Sequence, residues 1–151
     1  MFEYKIENTD WYARAWEFTT AHGNFKTPIF MPVWTKSTVK WLHPEEMDEM
    51  WAEILLNNTY HLYLRPGKDV VKHFWWAHKF MNYRKPILTD SGWFQVFSLG
   101  KIWDKWFKNS ESLVKITEEW VHFRSFIDWS KHYFDAENVM DIQSDIWADI
   151  I

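Results

Sequence analysis

A chain of 151 residues needs tight turns, and this one has little to make them with: four glycines against 13 tryptophans. Ordinary composition would supply about ten glycines at this length, because turns and close backbone approaches favour a residue that tolerates φ > 0. The tryptophans stand where such residues are wanted. Thr9-Asp10-Trp11-Tyr12, Pro32-Val33-Trp34-Thr35, Ser91-Gly92-Trp93-Phe94 and Ile127-Asp128-Trp129-Ser130 all read as turns once the tryptophan is replaced by glycine. Asp-Gly is a strong hairpin signal, whereas a bulky residue at φ > 0 is an outlier.

With that replacement, the run from Asn57 to Gly67 (Asn-Asn-Thr-Tyr-His-Leu-Tyr-Leu-Arg-Pro-Gly) and the run from Leu88 to Leu99 (Leu-Thr-Asp-Ser-Gly-Trp-Phe-Gln-Val-Phe-Ser-Leu) form two connected motifs. Thr27-Pro28-Ile29-Phe30-Met31-Pro32-Val33, His78-Lys79-Phe80-Met81-Asn82 and Val121-His122-Phe123-Arg124-Ser125 flank them. Taken together, in this order and over nearly the whole chain, they resemble the tRNA-guanine transglycosylases. The second motif departs from the family pattern only at Trp93. Eleven tryptophans fall where that family carries glycine or another small residue: Trp11, Trp16, Trp34, Trp41, Trp51, Trp75, Trp76, Trp93, Trp120, Trp129 and Trp147. Only Trp103 and Trp106 lie in a stretch that does not align. Independent mutation does not exchange the smallest residue for the largest so consistently. A decoding difference does: UGA codons read as glycine in the cell, and written as tryptophan by another code, give this pattern. Reading the eleven as glycine gives 15 glycines, an ordinary content. The competing reading is a chain of true tryptophans in an aromatic-rich binding protein, which would set its rings on one face with a regular period.

The resemblance implies an α/β fold, an incomplete (β/α)8 TIM barrel with N-terminal antiparallel strands and a β-hairpin insertion. Such barrels need about 250 residues, so residues 1–151 are expected to be the N-terminal part of a single transglycosylase barrel domain without an internal boundary. Trp147-Ala148-Asp149-Ile150-Ile151 reads as the opening of a further barrel strand. The opening segment alternates through Phe2 to Glu7, turns at Asp10-Trp11, and runs extended from Ala13 to Thr20 before the His22-Gly23-Asn24 turn. Strands are expected over 27–33, 53–57 and 86–89. Pro44 opens a helix with Glu45 and Glu46 in its first turn, and another is expected from about 68 to 80. Residues 101–134 suggest hairpin strands about Asp128-Trp129-Ser130. Asp135 is placed to cap a helix through about Gln143, with Val139, Met140 and Ile142 facing inward.

Asp90 directly follows a strand, where catalytic groups of barrels cluster; by position alone an aspartate that merely caps the next turn is the favoured reading. The resemblance gives it contact with the bound base and a part in proton transfer, and makes Ser91 and Gly92 the shape of the base pocket. Asn58 corresponds to a residue lining that pocket, and Val33 and Leu56 to apolar walls, though plain core packing accounts for those two as well. Phe94 either stacks near the base or packs in the core. His61 reads as a core histidine. Trp93, beside Gly92, is expected to occupy space that the incoming base needs. Glycosidic exchange passes through a cation-like sugar, which calls for a carboxylate on each side of the anomeric carbon. The family's nucleophilic aspartate and its Cys/His zinc site belong to later strands, so zinc is expected in a C-terminal part and no metal or cofactor here. There is no cysteine, and the seven histidines include no His-x-x-x-His pair.

No run of about 18 apolar residues suggests a membrane span, and Met1-Phe2-Glu3-Tyr4-Lys5 lacks the basic and apolar regions of a signal peptide, so a cytoplasmic protein is expected. The net charge of −4 leaves phosphate contacts to local patches. Lys72, His73, His78, Lys79, Arg84 and Lys85 form one, unless they are simply a solvated helix face. The resemblance implies exchange of guanine at the wobble position of tRNA with a GUN anticodon for a 7-deazaguanine base on the path to queuosine, by a homodimer when full length. Alternatives are a non-enzymatic Trp-rich module that binds nucleic acid or sugar, and a non-catalytic transglycosylase partner subunit.

Overall fold

The structure is a computed structural model describing residues 2–38, 42–106 and 114–151. It opens with an antiparallel meander of β1 (Glu3–Asp10), β2 (Ala13–Thr20) and β3 (Gly23–Thr27), in the order β1-β2-β3. Alternation along β2 sets Trp16 and Phe18 on one face, where Tyr4 reaches Trp16 at 5.2 Å and Phe25 stacks on Phe18 at 5.1 Å between ring centroids. Cross-strand aromatic pairs of this kind stabilise a sheet by about 0.2–1 kcal/mol each. The β1–β2 turn falls at Trp11, as the sequence suggests.

The second sheet is parallel: β4 (Val33–Trp34), β5 (Leu55–Asn57) and β6 (Ile87–Thr89), with Ile150 bridging Leu88 in parallel on the far side of β6. Helix α1 (Pro44–Glu49) lies between β4 and β5 in sequence, and α2 (Thr59–Leu64), α3 (Lys68–His73) and α4 (Trp76–Met81) lie between β5 and β6. Two expectations are corrected here. The strand expected over 27–33 is reduced to Val33–Trp34, because Pro28 and Pro32 have no N–H to give to a ladder. The helix expected from 68 to 80 is two helices, broken where Trp75 and Trp76 take φ of 65° and 67°.

After β6 comes α5 (Trp93–Trp106), so the part of the expected insertion before 107 is helical rather than hairpin. A meander of β7 (Val114–Ile116), β8 (Trp120–Arg124) and β9 (Lys131–Asp135) follows, with the β8–β9 turn at Trp129. Asp135 caps α6 (Ala136–Ile146), its carboxylate accepting from the Asn138 N–H at 2.7 Å. This helix runs one turn past Gln143. Its buried face is Val139, Ile142, Gln143 and Ile146; Met140, expected inward, is 48% exposed, because the three-four spacing of that face leaves it outside. Gln143 is buried because its amide donates to both the carbonyl and the hydroxyl of Thr89, each at 3.2 Å.

One core joins the parallel sheet to its helices through Leu55, Ile87, Leu62, Val71, Val96, Ile142 and Ile146, and reaches the last meander through Val121, Phe123 and Phe134. Eight non-glycine residues have positive φ among those described, and six are tryptophans: Trp11, Trp51, Trp75, Trp76, Trp129 and Trp147, all between 51° and 67°. The turn readings at Trp34 and Trp93 are corrected, since Trp34 ends a strand and Trp93 begins a helix. Trp41 lies outside the described residues.

Candidate functional site at the C-terminal edge of the parallel sheet

In a parallel sheet every strand ends on the same edge, so the residues that follow β5 and β6 are brought together although they lie 32 apart in sequence. Asp90 and Asn58 meet in this way. The Asn58 amide donates to Oδ2 of Asp90 at 2.6 Å, the Thr59 N–H donates to Oδ1 at 2.9 Å, and the Gln95 amide donates to Oδ2 at 3.1 Å. The carboxylate is thus an acceptor held by the end of the neighbouring strand β5 and the first turn of α5. Its own N–H donates to the Asn57 carbonyl at 3.2 Å, extending the β5–β6 pairing by one residue. Asn58 is buried and Asp90 half-buried, so the carboxylate is anchored from the protein side and stays open to solvent.

The backbone follows from Gly92. Its φ is +77°, and a Cβ there would lie 2.9 Å from the Tyr60 nitrogen and 3.0 Å from its Cβ. No other residue lets the Asp90–Gly92 loop lie against the start of α2. Ser91 is exposed beside it. Tyr60 is held from below by Phe123 at 5.4 Å, and burial pushes its hydroxyl up to about 12. His61 is half-buried, and burial followed by the charge of Lys36 lowers its pKa against the opposing pull of Asp90, so the ring beside the site is uncharged at neutral pH.

Register explains the apolar residues. Val33, Leu56 and Leu88 are paired side by side and are the exposed or half-buried row, while Trp34, Asn57 and Thr89 form the buried row on the opposite face. Val33 and Leu56 therefore share one face of the sheet. Phe94 is 74% exposed on the first turn of α5, so its ring is not part of the core. Trp93, beside Gly92, is partly buried and packs against the core. Gln95 and Thr59 were not distinguished in the sequence. Gln95 was legible only as part of the second motif, and Thr59 acts through its backbone, which no side-chain pattern reveals.

Three of the six residues of the basic patch, Lys72, His78 and Lys85, are engaged in internal pairs. Lys68 and Lys72 both bind Asp145, Lys85 donates to the Ala52 carbonyl at 3.0 Å, and His78 lies against Asp149. A cavity of about 510 Å³ is lined by His22, Trp75, Trp76, His78 and Trp147 and touches none of the residues around Asp90. No helix among the described residues is long and apolar enough to cross a membrane.

A family model described as queuine tRNA-ribosyltransferase matches residues 9–151. Among curated relatives, a queuine tRNA-ribosyltransferase of Ruminiclostridium cellulolyticum is 55% identical over 139 residues, covering 92% of this chain and 34% of its own length. Those of Desulforamulus reducens and Fusobacterium nucleatum are 53% and 49% identical, each over 148 residues, covering 97% and 98% of this chain and 37% of their own lengths. The chain thus spans little more than a third of the relatives it matches. Identity at this level over nearly every residue leaves one conclusion: the chain belongs to the queuine tRNA-ribosyltransferase family.

Proposed function

We propose that this chain supplies the base-handling half of a tRNA-guanine transglycosylase, which exchanges guanine at the wobble position of a GUN anticodon for a 7-deazaguanine. The observation that carries this reading is the Asp90 carboxylate, fixed by Asn58, Thr59 and Gln95 at the open edge of the parallel sheet. A carboxylate that only capped a turn would need one local donor; this one takes three, two of them from the end of the neighbouring strand. In the reaction, the departing guanine leaves a cation-like sugar held by a nucleophilic carboxylate, and the incoming base must lose a proton from the nitrogen that forms the new bond. Asp90 is the group that takes this proton. Ser91 and Gly92 form the floor under the base, Asn58 holds Asp90, and Val33, Leu56 and Phe94 give the pocket its apolar surface.

The consecutive parallel order β4-β5-β6, with Ile150 taking the next place beside β6, supports a (β/α)8 barrel of which residues 1–151 form the opening part. The nucleophile and a Cys/His zinc site then belong to the remainder. This chain has no cysteine and cannot offer those thiolates itself, so no step here depends on that ion. A homodimeric, cytoplasmic enzyme is the matching assembly. The aromatic-module alternative gains no support, because the exposed rings of Trp11, Trp51 and Trp75 sit on three separate turns rather than one stacking face. The retained Asp90, with its three donors, also favours the enzyme over a non-catalytic partner subunit.

The test is incorporation of labelled guanine into tRNA with a GUN anticodon by the full-length protein carrying glycine at the eleven positions. Asp90→Ala is expected to lower exchange at least about 100-fold, with an unchanged circular dichroism spectrum. Undiminished exchange would remove Asp90 from the mechanism.

A further inference from the structure

At the opposite edge of the parallel sheet, where β6 begins, three side chains from distant parts of the chain converge. His22 comes from the β2–β3 turn, His78 from α4, and Asp149 from the segment after α6. Nδ1 of His22 lies 2.8 Å from Oδ1 of Asp149, and Nε2 of His78 lies 3.0 Å from Oδ2. The three donor atoms are all within 4.8 Å of one another. The Asp149 side chain is 1% exposed and that of His78 10%.

Three features go beyond an ordinary ion pair. Nε2 of His78 faces the same carboxylate at 3.0 Å that Nδ1 of His22 faces at 2.8 Å, so both imidazoles turn a ring nitrogen onto one buried acid. Oδ2 of Asp149 accepts the Ile87 N–H at 3.0 Å, the outer hydrogen bond that orients a ligating carboxylate. The 510 Å³ cavity opens directly on both imidazoles, giving an entry path and room for water ligands.

We propose that His22, His78 and Asp149 bind one divalent transition-metal ion. Two imidazoles and one carboxylate suit Zn²⁺, Fe²⁺, Co²⁺ or Ni²⁺, whereas Mg²⁺ and Ca²⁺ ask for a set of oxygens. The two rings are now stacked 3.4 Å apart and 16° from parallel, so binding requires them to open until their nitrogens converge beside the carboxylate. The cavity provides the space, and glycine at Trp75, Trp76 and Trp147 only widens it. Lys79 and Arg84 on its lining oppose a cation and limit the affinity. The ion would fasten the N-terminal meander to α4 and to the start of the strand at Ile150. Its place at the edge away from Asp90 makes it structural rather than catalytic.

The experiment compares metal content in the full-length, glycine-restored protein with that of His22→Gln, His78→Ala and Asp149→Asn variants, after loading with Zn²⁺ and removal of excess. Comparing proteins cancels any ion held elsewhere in the longer chain. Each variant is expected to hold one equivalent less than the parent. Loading the parent with Co²⁺ is expected to add a visible absorption band that the partly exposed His22→Gln variant lacks, and His22→Gln guards against a result caused by misfolding. Equal metal content and equal Co²⁺ spectra in parent and His22→Gln would overturn the assignment.

Discussion

The tryptophans of this molecule fall into two groups, and the groups misfit in different ways. Trp11, Trp51, Trp75, Trp76, Trp129 and Trp147 sit at left-handed backbone positions, five of them more than half exposed. Trp51, Trp75 and Trp147 each follow a helix, at the place where a left-handed glycine usually ends one. Trp11 and Trp129 turn hairpins. Trp16, Trp34, Trp93 and Trp120 lie instead in strands or at a helix start, with no positive φ. Trp34 is 1% exposed and its indole N–H finds no acceptor among the described residues, although a buried indole normally has one. The first group shows a backbone shaped for glycine under a side chain that, in five of the six, is mostly in solvent. In the second the backbone has no such need, and only the family pattern speaks for a small residue. Conformation therefore supports the glycine reading at six positions, and the coding sequence must decide the rest.

The strongest way to break the comparison is to make both versions of the protein. Each tryptophan in left-handed geometry costs about 1–3 kcal/mol, and several together rival the whole stability of a domain, about 5–15 kcal/mol. The full-length polypeptide with tryptophan at the eleven positions is expected to aggregate, and the glycine form to be soluble. UGA is the expected codon at all eleven. A soluble tryptophan form that melts cooperatively, or UGG at the left-handed six, would end the decoding explanation.

Much of this was legible because it is local. Asp90, Ser91 and Gly92 lie in one short motif, Asn58 in another, and the turns at Trp11 and Trp129 needed only their Asp-x context. The Asp135 cap was equally plain. What escaped the sequence depends on partners far along the chain. Nothing near Gln143 announces that it is buried to serve Thr89, 54 residues away. His22, His78 and Asp149 have no shared spacing, and local ligand patterns give no hint of them. The shortness of β4 and the break at Trp75 were hidden for a different reason, since apolar runs set the type of an element better than its ends.

A second test separates two demands that glycine can meet. At Trp147 only the sign of φ matters, because the side chain has room outside. At Gly92 both φ and space matter, since any Cβ would press on Tyr60. Gly92→Ala is therefore expected to destabilise by about 2–5 kcal/mol, combining backbone strain with overpacking, and to displace Asp90 from Asn58. Urea denaturation and the guanine-exchange assay on the same variant read both effects. Unchanged stability would mean that the loop has another way past α2.

The smallest effect sharpens the comparison most directly, because its sign differs between the two groups. In a background where the other positions are glycine, restoring glycine at Trp147 removes left-handed strain at the end of α6 and is expected to stabilise by about 1 kcal/mol. At Trp16 the backbone is extended, and the ring packs edge-on against Tyr4 and tilted against Phe18, at 5.2 and 6.3 Å. Glycine there loses those contacts and adds chain entropy to the unfolded state, so the same exchange is expected to destabilise by about 1 kcal/mol. Urea midpoints at constant slope measure both. Equal shifts of the same sign would show that backbone handedness does not divide the tryptophans, and that indole size alone governs how each site tolerates them.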